Sequence, residues 1–119
     1  MSISQNNLFG SVEQTTSSIQ SYLKGSEANR SSNMKILPRI RCADGFSMSV
    51  QASDFHCCTP KTLDGPYSHV EVGYPSEPQE KLLPYRIAEE DIDLEHSIFG
   101  HVPVAVLVEI INDHGGLSL

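Results

Sequence analysis

The stretch from Met34 to Ser53 constrains the fold more than any other part of the chain, because it predicts a β-hairpin. Apolar and polar residues alternate in two runs, and a period of two is typical of a half-buried strand. A three-residue loop, Ala43-Asp44-Gly45, places Cys42 opposite Phe46 and brings the two apolar faces into agreement, whereas a two-residue loop would mix them. Gly45 accommodates the left-handed conformation that such a loop requires at its end. The predicted hairpin spans residues 36–52.

Each strand of this hairpin has one face toward the core and one toward solvent. The predicted inward residues are Ile36, Pro38, Ile40, Cys42, Phe46, Met48, Val50 and Ala52, and the outward ones are Leu37, Arg39, Arg41, Ser47, Ser49 and Gln51. Pro38 has no N–H for the ladder, so the first strand is predicted at a sheet edge or with a bulge. An exposed edge favours self-association, and a homo-oligomer is expected. The outer face with the two arginines is either simply solvated or a contact for an anion.

Two further strands and a helix complete the predicted fold. Residues 67–74 read as a third strand with Val70, Val72 and Tyr74 inward and with Tyr67, His69 and Glu71 outward. Residues 98–102 read as a short fourth strand with Phe99 and His101 outward. Residues 103–113 have the period of a helix, which begins at a proline and ends before Gly115 and Gly116. The predicted fold class is α+β, a small antiparallel β-sheet covered on one face by a C-terminal helix.

The chain divides into a predicted N-terminal arm, residues 1–33, and a single α+β domain, residues 34–119. In the arm, Ser11-Val12-Glu13-Gln14 resembles a capping box, and Gly25 suits the end of a helix. The apolar stripe between them is thin, and such a helix is too weak to stand alone in water. The arm is therefore either a flexible tail or a segment that becomes helical on a subunit or partner.

The overall charge and the cysteines limit the kinds of partner and compartment. A net charge of −7 argues against direct binding to duplex nucleic acid, which requires clustered basic residues. No run of 18 apolar residues is present, so a soluble protein without a membrane segment is expected. Three cysteines without metal-type spacing fit a reducing cytoplasm and predict neither a metal site nor a cofactor.

Residues 75–95 form an acidic, proline-interrupted connection between the third and fourth strands. A connection of this length is usually functional or mobile. It is either a solvated loop or a contact surface for a basic protein partner. The candidate partner-binding residues are Glu77, Glu80, Glu89, Glu90, Asp91 and Asp93.

Several short motifs together resemble a group of small proteins encoded by phages and prophages. The motifs are the stretch 44–53 (DGFSMSVQAS), Gly65-Pro66-Tyr67, the stretch 70–76 (VEVGYPS), Gly100-His101-Val102-Pro103 and His114-Gly115-Gly116. The resemblance covers about residues 34–116. It implies an accessory role in the cytoplasm of an infected bacterium, such as countering a host defence by blocking a nuclease complex or by sequestering a signalling nucleotide. It carries no catalytic residue over to this chain.

The sequence contains no phosphate-binding loop, nucleophile elbow or His-Glu-x-x-His motif, and no catalytic residue is predicted. The favoured hypothesis is a non-enzymatic binding protein that inhibits a host defence system by binding a host protein. The alternatives are an oligomeric sponge for a signalling nucleotide, a virion structural or assembly protein, and a metal-dependent enzyme based on His69 and His101. In the sponge, an aromatic ring would stack on the base and an arginine would pair with phosphate. The candidate ligand-binding residues are Arg39, Arg41, Tyr67, His69, Phe99 and His101.

Overall fold

The structure is a computed structural model, which describes residues 12–24, 37–62, 65–87 and 97–118. In chain order its elements are helix α1 (Val12–Lys24), strands β1 (Ile40–Arg41), β2 (Ser47–Gln51) and β3 (His69–Gly73), a 3-10 helix (Glu80–Tyr85), strand β4 (Ile98–Pro103) and helix α2 (Val104–Asp113). The four strands form one antiparallel sheet in the order β1-β2-β3-β4. The predicted α+β class and the C-terminal helix are confirmed.

The hairpin has the predicted register. Ile40 pairs with Met48, and the N–H of Cys42 donates to the carbonyl of Phe46 at 2.8 Å. Gly45 has a φ of 98°, the left-handed region that favours glycine. The three-residue loop is therefore confirmed, together with the edge position of β1.

The prediction that the outer face of the hairpin is polar and open is wrong at both ends of β2. Ser47 and Gln51 are buried, and the side-chain amide of Gln51 accepts from Leu37 N–H at 2.9 Å and donates to Leu37 O at 3.0 Å. The Gln51 side chain thus bonds both backbone polar groups of Leu37. Leu37 is consequently buried and Pro38 exposed, the reverse of the predicted orientation.

The ends of the third strand also differ from the prediction. Val70 and Val72 are fully buried as predicted. Tyr74 is exposed rather than inward, because it lies beyond the end of β3 with a φ of 50°, where the chain turns away from the sheet. Tyr67 lies before the strand and is buried rather than outward, and its hydroxyl donates to the carbonyl of Thr62 at 2.6 Å.

Strand β4 contains a bulge that reverses the predicted orientation of Phe99. Val70 pairs with Val102 and Val72 pairs with Phe99, so β4 has one residue more than β3 between the two pairs. His101, within the bulge, has a φ of 51°. The extra residue brings Phe99 and Val102 to the same side of the sheet. Phe99 is therefore fully buried, and the prediction that it faces outward is wrong.

Helix α2 closes the core and ends at a glycine motif. Its buried residues are Val104, Leu107, Val108, Ile110 and Ile111. Gly115 N–H donates to the carbonyl of Asn112 and Gly116 N–H to that of Ile111, which is the pattern of a Schellman motif. After this motif, residues 116–118 run antiparallel to β1, and Ser118 N–H donates to Arg41 O at 2.8 Å. The C-terminal segment thus covers part of the β1 edge.

Helix α1 packs against α2. Ile19 and Leu23 belong to the same buried core as the sheet and α2. Thr15 Oγ1 donates to Asn112 Oδ1 at 3.1 Å, which joins the two helices directly. Within the stretch predicted to be either a flexible tail or a helix, residues 12–24 are helical and bury Ile19 and Leu23 on the rest of this chain.

Candidate functional site

A cleft of about 460 Å³ lies where helix α1, strand β1 and the C-terminal segment meet. We call it the arginine cleft. Small-molecule sites typically occupy 300–1,000 Å³, so the cleft has room for one small ligand. Its lining residues are Ser18, Ile19, Tyr22, Arg39, Ile40, Arg41, Leu117 and Ser118.

Arg39 is a lining residue of the cleft, and the fold holds its guanidinium in place. Its Nε donates to Ser47 Oγ at 3.1 Å, and one terminal nitrogen donates to Ser47 O at 3.0 Å and Tyr74 O at 2.6 Å. All three acceptors are neutral, so these bonds orient the guanidinium without cancelling its charge. The remaining N–H donors of Arg39 stay available for an anion.

Arg41 lies two residues further along β1 and is a second arginine that lines the cleft. Its side chain is exposed, and within the described ranges it makes no hydrogen bond or ion pair. Residues two apart on a strand point to the same side and are separated by about 6.6 Å along it. The cleft therefore has one oriented arginine and one that is free to adapt to a ligand.

The other residues of the cleft provide apolar surface and hydroxyl groups. Helix α1 contributes Ser18 and Tyr22, which are four residues apart and so lie on one helical face. The C-terminal segment contributes Leu117 and Ser118, held against β1 by the backbone pairing described above. An apolar lining with a few polar groups is typical of a site for a small organic ligand.

Sequence reasoning identified the two arginines but missed the other walls of this cleft. The period of α1 does place Ser18 and Tyr22 on one face, and the glycine pair does signal a chain reversal before Leu117. Neither signal shows that helix α1 and the C-terminal segment meet at β1. That meeting depends on the packing of α1 against α2, which no local pattern encodes.

The structure separates the remaining predicted ligand residues from the arginine cleft. Tyr67 and Phe99 are buried and do not line it. His69 and His101 both contact Thr59, which forms a β-bridge with His69 and a 3.3 Å hydrogen bond with His101 Nδ1. In the described part of the chain, no group of three or more histidine, cysteine or carboxylate side chains is placed to hold a metal ion.

Only two of the predicted partner-binding acids lie in the described ranges. Glu77 and Glu80 are exposed, as a contact surface requires. Glu89, Glu90, Asp91 and Asp93 lie outside the described residues. A contact between this acidic surface and a host protein therefore stays a prediction.

The Ser53 hydroxyl and the thiols of Cys42 and Cys58 are enclosed. Ser53 Oγ and His56 Nδ1 form a 2.7 Å hydrogen bond, but both residues are buried, so a substrate could not reach the hydroxyl. Burial raises the pKa of the Cys58 thiol. Burial, followed by the nearby charge of Asp44, raises the pKa of Cys42 to about 11. Neither thiol is activated as a nucleophile near neutral pH.

A search of protein-family models, curated proteins and solved structures gives no match to this chain. Neither helix in the described ranges has both the length and the apolar character needed to cross a lipid bilayer. The function is therefore inferred from the geometry of the arginine cleft.

Proposed function

We propose that this chain is a non-enzymatic binding protein that holds a small organic anion, of the size of a nucleotide, in the arginine cleft. The observation that carries this proposal is the pair Arg39 and Arg41. In a chain of net charge −7, two arginines face one cleft and neither is paired with a described carboxylate. Uncompensated cations beside apolar surface favour a ligand that is both anionic and partly apolar.

The chemistry of the cleft narrows the ligand class. Arginine binds phosphate and carboxylate oxygens through charge-assisted hydrogen bonds, and its planar fork recognises them in a defined orientation. Tyr22 and Leu117 provide apolar contact for a ring, and Ser18 and Ser118 provide hydroxyl donors. A nucleoside phosphate has both kinds of group. This supports a protein that sequesters a signalling nucleotide, which is one of the two accessory roles that the phage resemblance implies.

The test is a binding measurement on the full chain by isothermal titration calorimetry, with a panel of nucleoside 5′-monophosphates and cyclic dinucleotides. Arg41→Gln is the most suitable variant because the Arg41 side chain makes no contact on which the described fold depends. A hydrogen bond to a charged group contributes about 1.5–3 kcal/mol. We therefore expect Arg41→Gln to weaken binding about 10- to 100-fold.

Lys61→Gln is the matched control, because it removes one positive charge from an exposed residue that does not line the cleft. It should change the affinity less than twofold at 0.15 M salt, where distant charges are screened. Equal losses of affinity in the two variants would mean that Arg41 acts only through the net charge of the protein. No binding of any probe, or full binding by Arg41→Gln, would refute the proposal.

A further inference from the structure

Helix α1 forms one wall of the arginine cleft and is held there by buried apolar side chains and by polar contacts of Thr15 and Gln20. Ser18, Ile19 and Tyr22 line the cleft, while only Ile19 and Leu23 are apolar side chains fully buried in the core. The helix has 13 residues, and an isolated helix of this length is marginal in water. The helix at residues 12–24 therefore depends on its packing against the rest of the chain for stability.

A glutamine provides the most specific docking contact. Gln20 Oε1 accepts from Tyr67 N–H at 2.9 Å, and Gln20 Nε2 donates to Tyr67 O at 2.6 Å. This pair of bonds joins α1 to the segment that leads into β3. Gln20 itself does not line the cleft. Changing it therefore weakens docking without removing a group that a ligand would touch.

We propose that Ser18 and Tyr22 contact the ligand, and that ligand binding and the docking of α1 are a single coupled equilibrium. This inference rests on the proposed function. With α1 undocked, β1 and the C-terminal segment would remain, and the ligand would lose its contacts with the α1 wall. A ligand that prefers the docked state must stabilise it, and by linkage an undocked helix must lower the affinity.

The coupling has a measurable size. Some backbone amides exchange their hydrogen with solvent only when α1 undocks. If the ligand binds only the docked state, it slows this hydrogen exchange by a factor of one plus the ratio of the free ligand concentration to Kd. At a ligand concentration ten times Kd, the backbone amides of α1 should exchange about tenfold more slowly. The 3-10 helix Glu80–Tyr85 does not line the cleft, so amides there that exchange by local opening should not respond.

The experiment is hydrogen–deuterium exchange mass spectrometry on the full chain, with the nucleotide that binds best in calorimetry. Gln20→Ala should speed exchange in residues 12–24 of the free protein, leave the β2–β3 ladder unchanged, and regain protection when ligand is added. Ser17→Ala is the matched control, since Ser17 is an exposed α1 residue that does not line the cleft. The backbone amides of Ser17→Ala should exchange at the wild-type rate.

The outcomes separate this inference from the function on which it rests. If no probe binds, both are wrong. If a probe binds in an Arg41-dependent way but α1 exchange does not change with ligand, the coupling is wrong and the proposed function stands. If ligand slows the 3-10 helix as much as α1, the protection is global, and the coupling to α1 is likewise refuted.

Discussion

Asp44 links the hairpin turn to the end of helix α2 through its charge. Its Oδ1 accepts from Phe46 N–H at 2.9 Å, and its Oδ2 lies 2.6 Å from His114 Nδ1. The His114 ring also stacks on Phe46, with ring centroids 4.1 Å apart. The Phe46 N–H, and after it the His114 side chain, hold the pKa of Asp44 below its usual range. The folded state thus favours the ionised carboxylate.

This shift predicts an acid-sensitive contribution to stability. The contribution is fully present above the unfolded-state pKa of Asp44, about 3.9, and is lost as the pH falls through the lower folded-state pKa. In urea titrations, the free energy of unfolding of Asp44→Asn should lie below that of the wild type at pH 5. The difference should shrink below about pH 4.

Asp54→Asn controls for the loss of one negative charge, because Asp54 is exposed and makes no hydrogen bond within the described ranges. If the difference between Asp44→Asn and the wild type stayed constant down to pH 2.5, the Asp44 carboxylate would contribute nothing through its charge.

At the scale of elements, the end of α2 depends on a glycine that no other residue replaces without strain. Gly115 has a φ of 90°, and a Cβ there would lie 3.1 Å from the Cβ of Ala43. Gly115→Ala should lower the free energy of unfolding by about 1–2 kcal/mol, because a side chain is disfavoured in this conformation. Thermal or urea denaturation measures the change.

Gly73→Ala is the control for this substitution. A Cβ at Gly73 would make ordinary contacts, 3.8 Å from Ile98 Cγ1 and 4.0 Å from Ser97 O, and its φ is not positive. We expect a change within about 0.5 kcal/mol. A loss at Gly115 no larger than that at Gly73 would contradict the account of how α2 ends.

The hairpin and α2 were predictable because their determinants are local. Gly45 fixes the loop, and agreement between the apolar faces fixes the register. The buried outer face was not predictable, since the Gln51 and Ser47 side chains bond to residues 37 and 39, and the Ser47 N–H donates to Ser76 Oγ in the loop after β3. Polar burial of this kind depends on specific hydrogen bonds, which leave no periodic pattern.

The predicted orientation of Phe99 was wrong for a different reason. Alternation predicts faces only while a strand keeps its period of two. The extra residue beside His101 breaks that period. A Cβ at Gly100 would lie 2.6 Å from Ile87 Cδ1 and 3.1 Å from Cys57 Cβ, so the chain passes close to its neighbours at the bulge. Those neighbours are distant in sequence, and the pattern of β4 alone could not reveal them.

For the whole molecule, the position of α1 decides what kind of site exists. Without this helix, Arg39 and Arg41 would have only β1 and the C-terminal segment beside them; with it, they line a cleft of about 460 Å³. The sequence identified the arginines and the candidate helix, but not that the two lie side by side. The docking uses few apolar residues and the polar contacts of Thr15 and Gln20, which a thin hydrophobic stripe does not disclose.

The expected homo-oligomer stays a prediction, and the reason given for it from the sequence is weakened. The edge of β1 is covered between Arg41 and Asp44 by the C-terminal segment. At the other edge of the sheet, Ile87 N–H donates to Ile98 O at 2.9 Å, and Arg86 forms a bridge with Phe99. A covered edge does not favour strand pairing with another chain.

The arginine cleft is tested most directly by a two-dimensional ¹⁵N–¹H NMR titration of the full chain with the nucleotide that binds best in calorimetry. The largest chemical-shift changes should fall on the backbone amides of the lining residues, which are Ser18, Ile19, Tyr22, Arg39, Ile40, Arg41, Leu117 and Ser118. Amides around Thr59, His69 and His101 should not shift. Changes centred on those residues, or no saturable change anywhere, would contradict the assignment of the cleft as the binding site.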